Sequence, residues 1–169
     1  MELSEAIYNR RSIRRYTDQI VDEGIIDEII HAGMYAPSAA NKQPWHFIVF
    51  SDLQTKAAVM DVHPHSSMLS HAQKAILVCL DENLQHDTGY GAVDCAAATQ
   101  NMLLMSHALG LGACWIGVYP REQRMSALRK IFYLPDHITA FAIVSLGYPL
   151  QSKERPDRII RERIHKEKW

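Results

Sequence analysis

From Tyr90 or Gly91 to Leu109 the chain carries its longest helical signal, with Ala97, Asn101, Leu104 and Ala108 recurring every three or four residues. Ala92, Ala96, Ala97 and Ala98 are small enough to let neighbouring elements approach closely, so a central buried helix is expected. Gly110 suits the left-handed residue that ends such a helix. Whatever fold forms must be built around this segment.

The elements on either side are shorter. Trp45 to Phe50, Ala75 to Leu80, Ala113 to Val118 and Thr139 to Leu146 read as strands. Leu3 to Arg10 reads as a short helix, and Asp22 introduces another in which Ile25, Ile26, Ile29, Ile30 and Met34 keep helical period. Glu122 to Phe132 is a further helix. Pro37 through Pro44 cannot continue the second helix and reads as a loop. Between the first two strands lies a segment without regular pattern that holds His63-Pro64-His65 and His71. Four strands interleaved with helices give one mixed α/β or α+β domain over residues 1–169, with a polar tail from about residue 151.

Charge is uneven along the chain. Eighteen basic and nineteen acidic residues give a net charge of −1. Residues 1–15 nevertheless carry +2 and residues 151–169 carry +3, leaving −6 on the 135 between them. Both ends are basic and the body is acidic. Either the ends are solvated and mobile, or they converge on one anion. A nucleic-acid patch fits less well, because the basic footprint is small and the whole chain is near neutral. No apolar run approaches the ~20 residues that cross a bilayer. Acids stand at the N-terminus where a secretory signal has bases, and Cys79, Cys95 and Cys114 sit singly in apolar sequence. A cytoplasmic chain with reduced, buried thiols is expected.

Familiar reactive signatures are missing. Gly110-Leu111-Gly112 follows a helix and precedes a strand, the reverse of a dinucleotide fingerprint. His63, His65 and His71 read as surface loop histidines, since no carboxylate or cysteine completes a metal spacing. No nucleophile elbow appears, and the cysteines lack a neighbouring activating cation. Clustered arginines, an amide-rich loop and no acid–base machinery suit a protein that borrows its reactive group from a cofactor.

Four motifs occur in order: Arg10-Arg11-Ser12-Ile13-Arg14, Ala36 through Trp45, Gln100-Asn101-Met102-Leu103-Leu104, and Gly110 through Gly117. The chain closes with Gly147-Tyr148-Pro149, Arg158 and Ile164-His165 through Trp169. Together these resemble the FMN-dependent nitroreductase family along nearly the whole chain. The resemblance implies an α+β nitroreductase-like fold, with a central, largely antiparallel sheet and an interlocked homodimer holding FMN at its interface. It implies that Arg10, Arg11 and Ser12 serve the phosphate and ribityl end, with Arg14 near the pyrimidine edge. Pro37, Ser38, Ala39 and Asn41 would come from the other subunit. Trp115, Ile116 and Gly117 would line one face of the ring, a backbone N–H reaching its N5. Arg158 would be the C-terminal phosphate arginine, with Arg155 a looser match.

The activity implied is ping-pong transfer from NAD(P)H through the flavin to a nitroaromatic, quinone or similar acceptor. No catalytic side chain, metal, nucleic acid or membrane is implied. The alternative is a flavin-binding storage, sensing or delivery module with little turnover. Only Asp81 to Gly89 separate the second strand from the long helix, which leaves the ring face open unless residues 61–72 cover it.

Overall fold

The computed structural model describes all 169 residues. In chain order the helices are α1 (Leu3–Asn9), α2 (Glu23–Met34), α3 (Leu53–Val62), α4 (Tyr90–Ala108) and α5 (Glu122–Phe132). The strands are β1 (Trp45–Phe50), β2 (Lys74–Asp81), β3 (Gly112–Gly117) and β4 (Ile138–Gly147). They form one antiparallel sheet in the order β1-β2-β4-β3, so β2 and β4 are central while β1 and β3 are edges. The α+β expectation and all four strands are matched, each within a residue at either end.

Both faces of the sheet are covered, which is why the central strands are apolar without interruption. Ile76, Val78 and Leu80 of β2 face α2 and α4, packing with Ile26, Ile29 and Met102. The alternate residues Ala75, Leu77 and Cys79 face α3 and α5, packing with Val59 and Leu128. A side chain such as Ile143, fully buried, contributes about 1.5–3 kcal/mol by leaving water. The alternation slips once, between Val78 and Cys79. There Phe141 is the extra residue on β4, and both Val118 and Tyr119 donate their N–H groups to its carbonyl.

Two expectations need correction. The segment after β1 is helical: α3 was hidden because only Lys56 and Val59 on it are buried, too few to make an apolar stripe. Its start was signalled, since Asp52 accepts a hydrogen bond from the Thr55 N–H at 2.8 Å as a helix cap. The long helix α4 forms as expected and ends at Gly110, whose φ is +82°. Its buried side, however, is Gly91, Asp94, Cys95, Ala98, Met102 and Ser106, and the stripe singled out from sequence lies elsewhere. Asn101, Leu104 and Ala108 line an open groove of about 610 Å³ with Leu3, Ala32 and Tyr35. An α-helix that is apolar on two sides needs a cover for each.

Candidate cofactor site

The two basic ends meet. After β4 the chain runs back along residues 8–17. Thr17 N–H donates to Tyr148 and Leu150 N–H donates to Arg15, each at 2.9 Å. Lys153 Nζ donates to the Ser12 carbonyl at 2.8 Å, and the Arg155 guanidinium sits 4.4 Å from the centre of the Tyr8 ring. Arg10, Arg11, Arg155 and Arg158 consequently line one cleft of about 470 Å³ between α1 and the tail. The two basic ends therefore lie against each other, although residues 152–169 all remain exposed to solvent.

Within this cleft the arginines are not equivalent. Arg11 is committed to backbone carbonyls: Nε to Glu154 at 3.1 Å, Nη2 to Tyr8 at 2.8 Å, and Nη1 to Arg10. It staples the tail to α1. Arg10 is half-buried, and its pKa is pushed down first by that burial and then by the like charges of Arg11 and Arg158. Three guanidinium groups brought together against their mutual repulsion make a site that favours an anion.

A second cleft, of about 380 Å³, lies at the outer edge of β3 and is lined by Arg14, Cys114, Trp115, Ile116, Gly117, Arg124 and the His63–Met68 turn. Here hydrogen-bond alternation assigns direction to the backbone. Val118 N–H goes to Phe141 on β4, whereas the Ala113 carbonyl receives the Ile13 N–H from the opposite side at 2.9 Å. Residues 113, 115 and 117 thus turn their N–H and carbonyl groups away from β4, while Ile116 keeps its own in the ladder with Ile143. The Trp115 and Gly117 N–H groups face the cleft. A Cβ on Gly117 would meet no heavy atom within 4 Å, so there is open room beside that backbone.

Ser12, paired in a parallel bridge with Ala113, lies between the clefts. From Arg10 to Arg14 an extended chain spans at most roughly 14 Å. That reach suits a planar ring joined to a phosphate through a five-carbon chain, which is how FMN is built.

Pro37, Ser38, Ala39 and Asn41 line neither cleft in the same protomer. Ala39 and Asn41 belong to a tight turn beyond α2, where Ala40, Asn41 and Gln43 all have φ near +50°. The turn is fixed by two bonds: Asp94 Oδ1 accepts the Ala39 N–H at 3.0 Å, and Ser38 Oγ accepts the Gln43 N–H at 2.9 Å. Asp94 itself is buried, and its other oxygen has no hydrogen-bond partner in the protomer.

His63 is a correction. It was read as a surface histidine, yet it is only 2% exposed. It closes α3, accepts the His65 N–H on Nδ1 at 3.2 Å and donates from Nε2 to the Gly117 carbonyl at 2.8 Å. His65 and His71 are exposed, as expected. Arg124, on the first turn of α5, also donates to the Gly117 carbonyl, at 2.8 Å. Neither contact had a sequence signature: His63 is 54 residues from Gly117, at the end of the unread helix, and nothing in the pattern of α5 marks Arg124. The site holds no group of three or more metal-ligating side chains.

All three thiols are buried. Burial pushes Cys79 up to about 12 and raises Cys114 as well, the latter offset by Arg14, Ser12, Lys153 and Arg10. At pH 8 the folded chain is expected to resist labelling by a disulfide reagent at all three cysteines, and to label fully in urea. Because the folded form holds the Cys79 proton, its contribution to stability is complete below pH 9 and declines as pH rises toward about 12. Rapid stoichiometric labelling of the native protein would contradict this.

A three-layer α+β chain with a cationic cleft, and a second cleft at an open sheet edge, has the features of one class: binders of a small organic anion. Comparison with known proteins narrows it. The model of the nitroreductase family matches residues 7–91 and 64–148 in overlapping pieces. A protein of Methanothermobacter thermautotrophicus, named for two candidate activities, NADH dehydrogenase and NAD(P)H nitroreductase, is 44% identical over all of this chain and 88% of its own length. A crystal structure from Parabacteroides distasonis, named in the same way, superposes with a TM-score of 0.95 at 37% identity, covering 99% of this chain and 98% of that one. A Desulfovibrio desulfuricans nitroreductase-like protein solved in complex with FMN is 30% identical with a TM-score of 0.87, over 100% and 98% of the two chains. The chain belongs to the nitroreductase family.

Proposed function

We propose that this chain, as a homodimer, passes electrons from NADH or NADPH through FMN to a nitroaromatic, a quinone or an acceptor of similar shape, the two reactants using one site in turn. Membership of the family makes it an NAD(P)H-dependent FMN oxidoreductase. The observation that carries the finer reading is that residues 10–14 lead from the arginine cleft, lined by Arg10 and Arg11, to the cleft at the outer edge of β3, lined by Arg14.

FMN, when bound, supplies reversible two-electron chemistry at its ring. The chain's own residues bind and aim it. Arg10 and Arg158 would grip the phosphate through charged hydrogen bonds, with Arg155 near by and Arg11 holding the tail that carries both. Ser12 would meet the ribityl chain. Arg14 would stand at the pyrimidine edge, where its cation favours the negative charge that reduction adds. Trp115, Ile116 and Gly117 would line one ring face, with the Gly117 N–H directed at it. The remaining wall would be the partner subunit's Pro37, Ser38, Ala39 and Asn41. No side chain in the ring-end cleft is required as acid or base, so positioning and charge are the protein's part.

The second apolar side of α4 supports the dimer. Leu104 and Ala108 lie in an open groove beside Tyr35, which is 88% exposed. Such a patch on a monomer marks an interaction surface. The test is anaerobic addition of NADH or NADPH to the FMN-saturated protein. The yellow absorbance is expected to bleach, then return when a quinone or nitroaromatic is added, over many cycles. No bleaching would overturn nicotinamide-dependent reduction, and bleaching without turnover on any acceptor would leave the storage or delivery module.

A further inference from the structure

We infer that His63 and Arg124 are positioning residues that jointly fix the Gly117 carbonyl and so aim the Gly117 N–H into the ring-end cleft. The inference rests on the reading that FMN occupies that cleft. Gly117 is the last residue of an edge strand and has no side chain to restrain its backbone. Without further contacts it would be held from the β4 side alone, through the Val118 N–H to Phe141. Two donors from different elements hold it. Nε2 of His63, at the end of α3, and Nη1 of Arg124, near the start of α5, each donate to its carbonyl at 2.8 Å.

The imidazole is itself held in one tautomer. Its Nδ1 accepts the His65 N–H, so the ring hydrogen is on Nε2, facing Gly117. Its own carbonyl accepts the Ser66 hydroxyl at 2.7 Å, anchoring the turn. The buried imidazole thus has both nitrogens satisfied and is rigid. A carbonyl accepting from two fixed donors at nearly ideal length fixes the 117–118 peptide plane, and the preceding plane, which carries the Gly117 N–H, is held by the Ile116 carbonyl in the ladder with Ile143, so the two torsions of the glycine between them are set. The alternation along β3 puts that N–H on the same outer edge.

The consequence is chemical. An oxidised flavin ring accepts a hydrogen bond at N5, whereas the reduced ring carries a hydrogen there. A well-aimed backbone N–H accordingly favours the oxidised form, and loosening it raises the midpoint potential.

The experiment uses full-length, FMN-loaded His63→Leu, His63→Gln, Arg124→Met and Arg124→Lys, with potential measured by spectroelectrochemistry and FMN affinity by fluorescence titration. His63→Leu and Arg124→Met are each expected to shift the oxidised-to-reduced preference about tenfold, a rise of about 30 mV for a two-electron couple. His63→Gln and Arg124→Lys keep a donor in reach and are expected to restore the wild-type potential. Where His63→Leu does not fold, the Arg124 pair decides, since that side chain is only half-buried on a surface helix. Wild-type potentials in folded His63→Leu and Arg124→Met would overturn the inference. Equal shifts in the donor-keeping and donor-lacking variants would overturn it too, by showing a merely structural role. If the wild-type chain itself took up no FMN, it is the functional reading that would fall.

Discussion

Arg10→Ala is expected to release FMN on dialysis while the apo chain keeps its fold. A charged hydrogen bond to phosphate contributes about 1.5–3 kcal/mol, so affinity should drop roughly 10- to 100-fold. The folded apo protein loses little, because Arg10 forms no side-chain hydrogen bond or ion pair in it and is opposed by Arg11 and Arg158. Its unfolding free energy, from urea denaturation, should stay within about 0.5 kcal/mol of wild type. Arg11→Ala should behave differently. It removes three bonds to backbone carbonyls and is expected to loosen the tail, seen as faster proteolysis after residue 150. Arg15→Ala, exposed and outside both clefts, serves as the neutral control. Retained flavin in Arg10→Ala would remove that guanidinium from the phosphate site.

Leu104→Glu is expected to abolish both dimer and flavin binding in one step. The side chain lines the open groove and is not part of the core, so the protomer should fold. In an assembled interface the new carboxylate would be buried without a partner, costing several kcal/mol. At about 1.4 kcal/mol per tenfold, a 5 kcal/mol penalty weakens association by more than a thousandfold. Sedimentation should then report a monomer. If Pro37 to Asn41 of one subunit complete the site of the other, that monomer also loses FMN. A Leu104→Glu monomer that binds FMN as tightly as wild type would show the site to be complete within one protomer.

The strands were legible from sequence because a sheet covered on both faces produces short, continuous apolar runs. The helix α3 was not, since it buries two side chains and its cap, Asp52, is the sole local marker. For α4 the period was right and the chosen face was wrong. Alanine and methionine surround the whole helix, so periodicity alone could not separate the side that meets the sheet from the side left open. At the site, the uneven charge of the two chain ends left solvated tails and convergence both open, and the structure puts Arg10 and Arg158 in one cleft. What sequence could not supply was the division of labour inside the cluster. Arg11 lies next to Arg10 and looks identical on paper, but the turn out of α1 spends its donors on carbonyls. His63 and Asp94 were invisible for a related reason: each acts on backbone atoms more than fifty residues away.

The outer margin of β3 has a bearing on how safely such a chain can be kept in solution. A bare strand edge is a template on which further chains add, the usual start of fibrous precipitates. Here Ala113 is engaged by Ile13 and the Gly117 carbonyl by His63 and Arg124, so the exposed stretch between them is a residue or two long. An invading strand finds too few consecutive donors and acceptors to register against. The protein can thereby offer backbone N–H groups to a small ligand without offering them to its own kind.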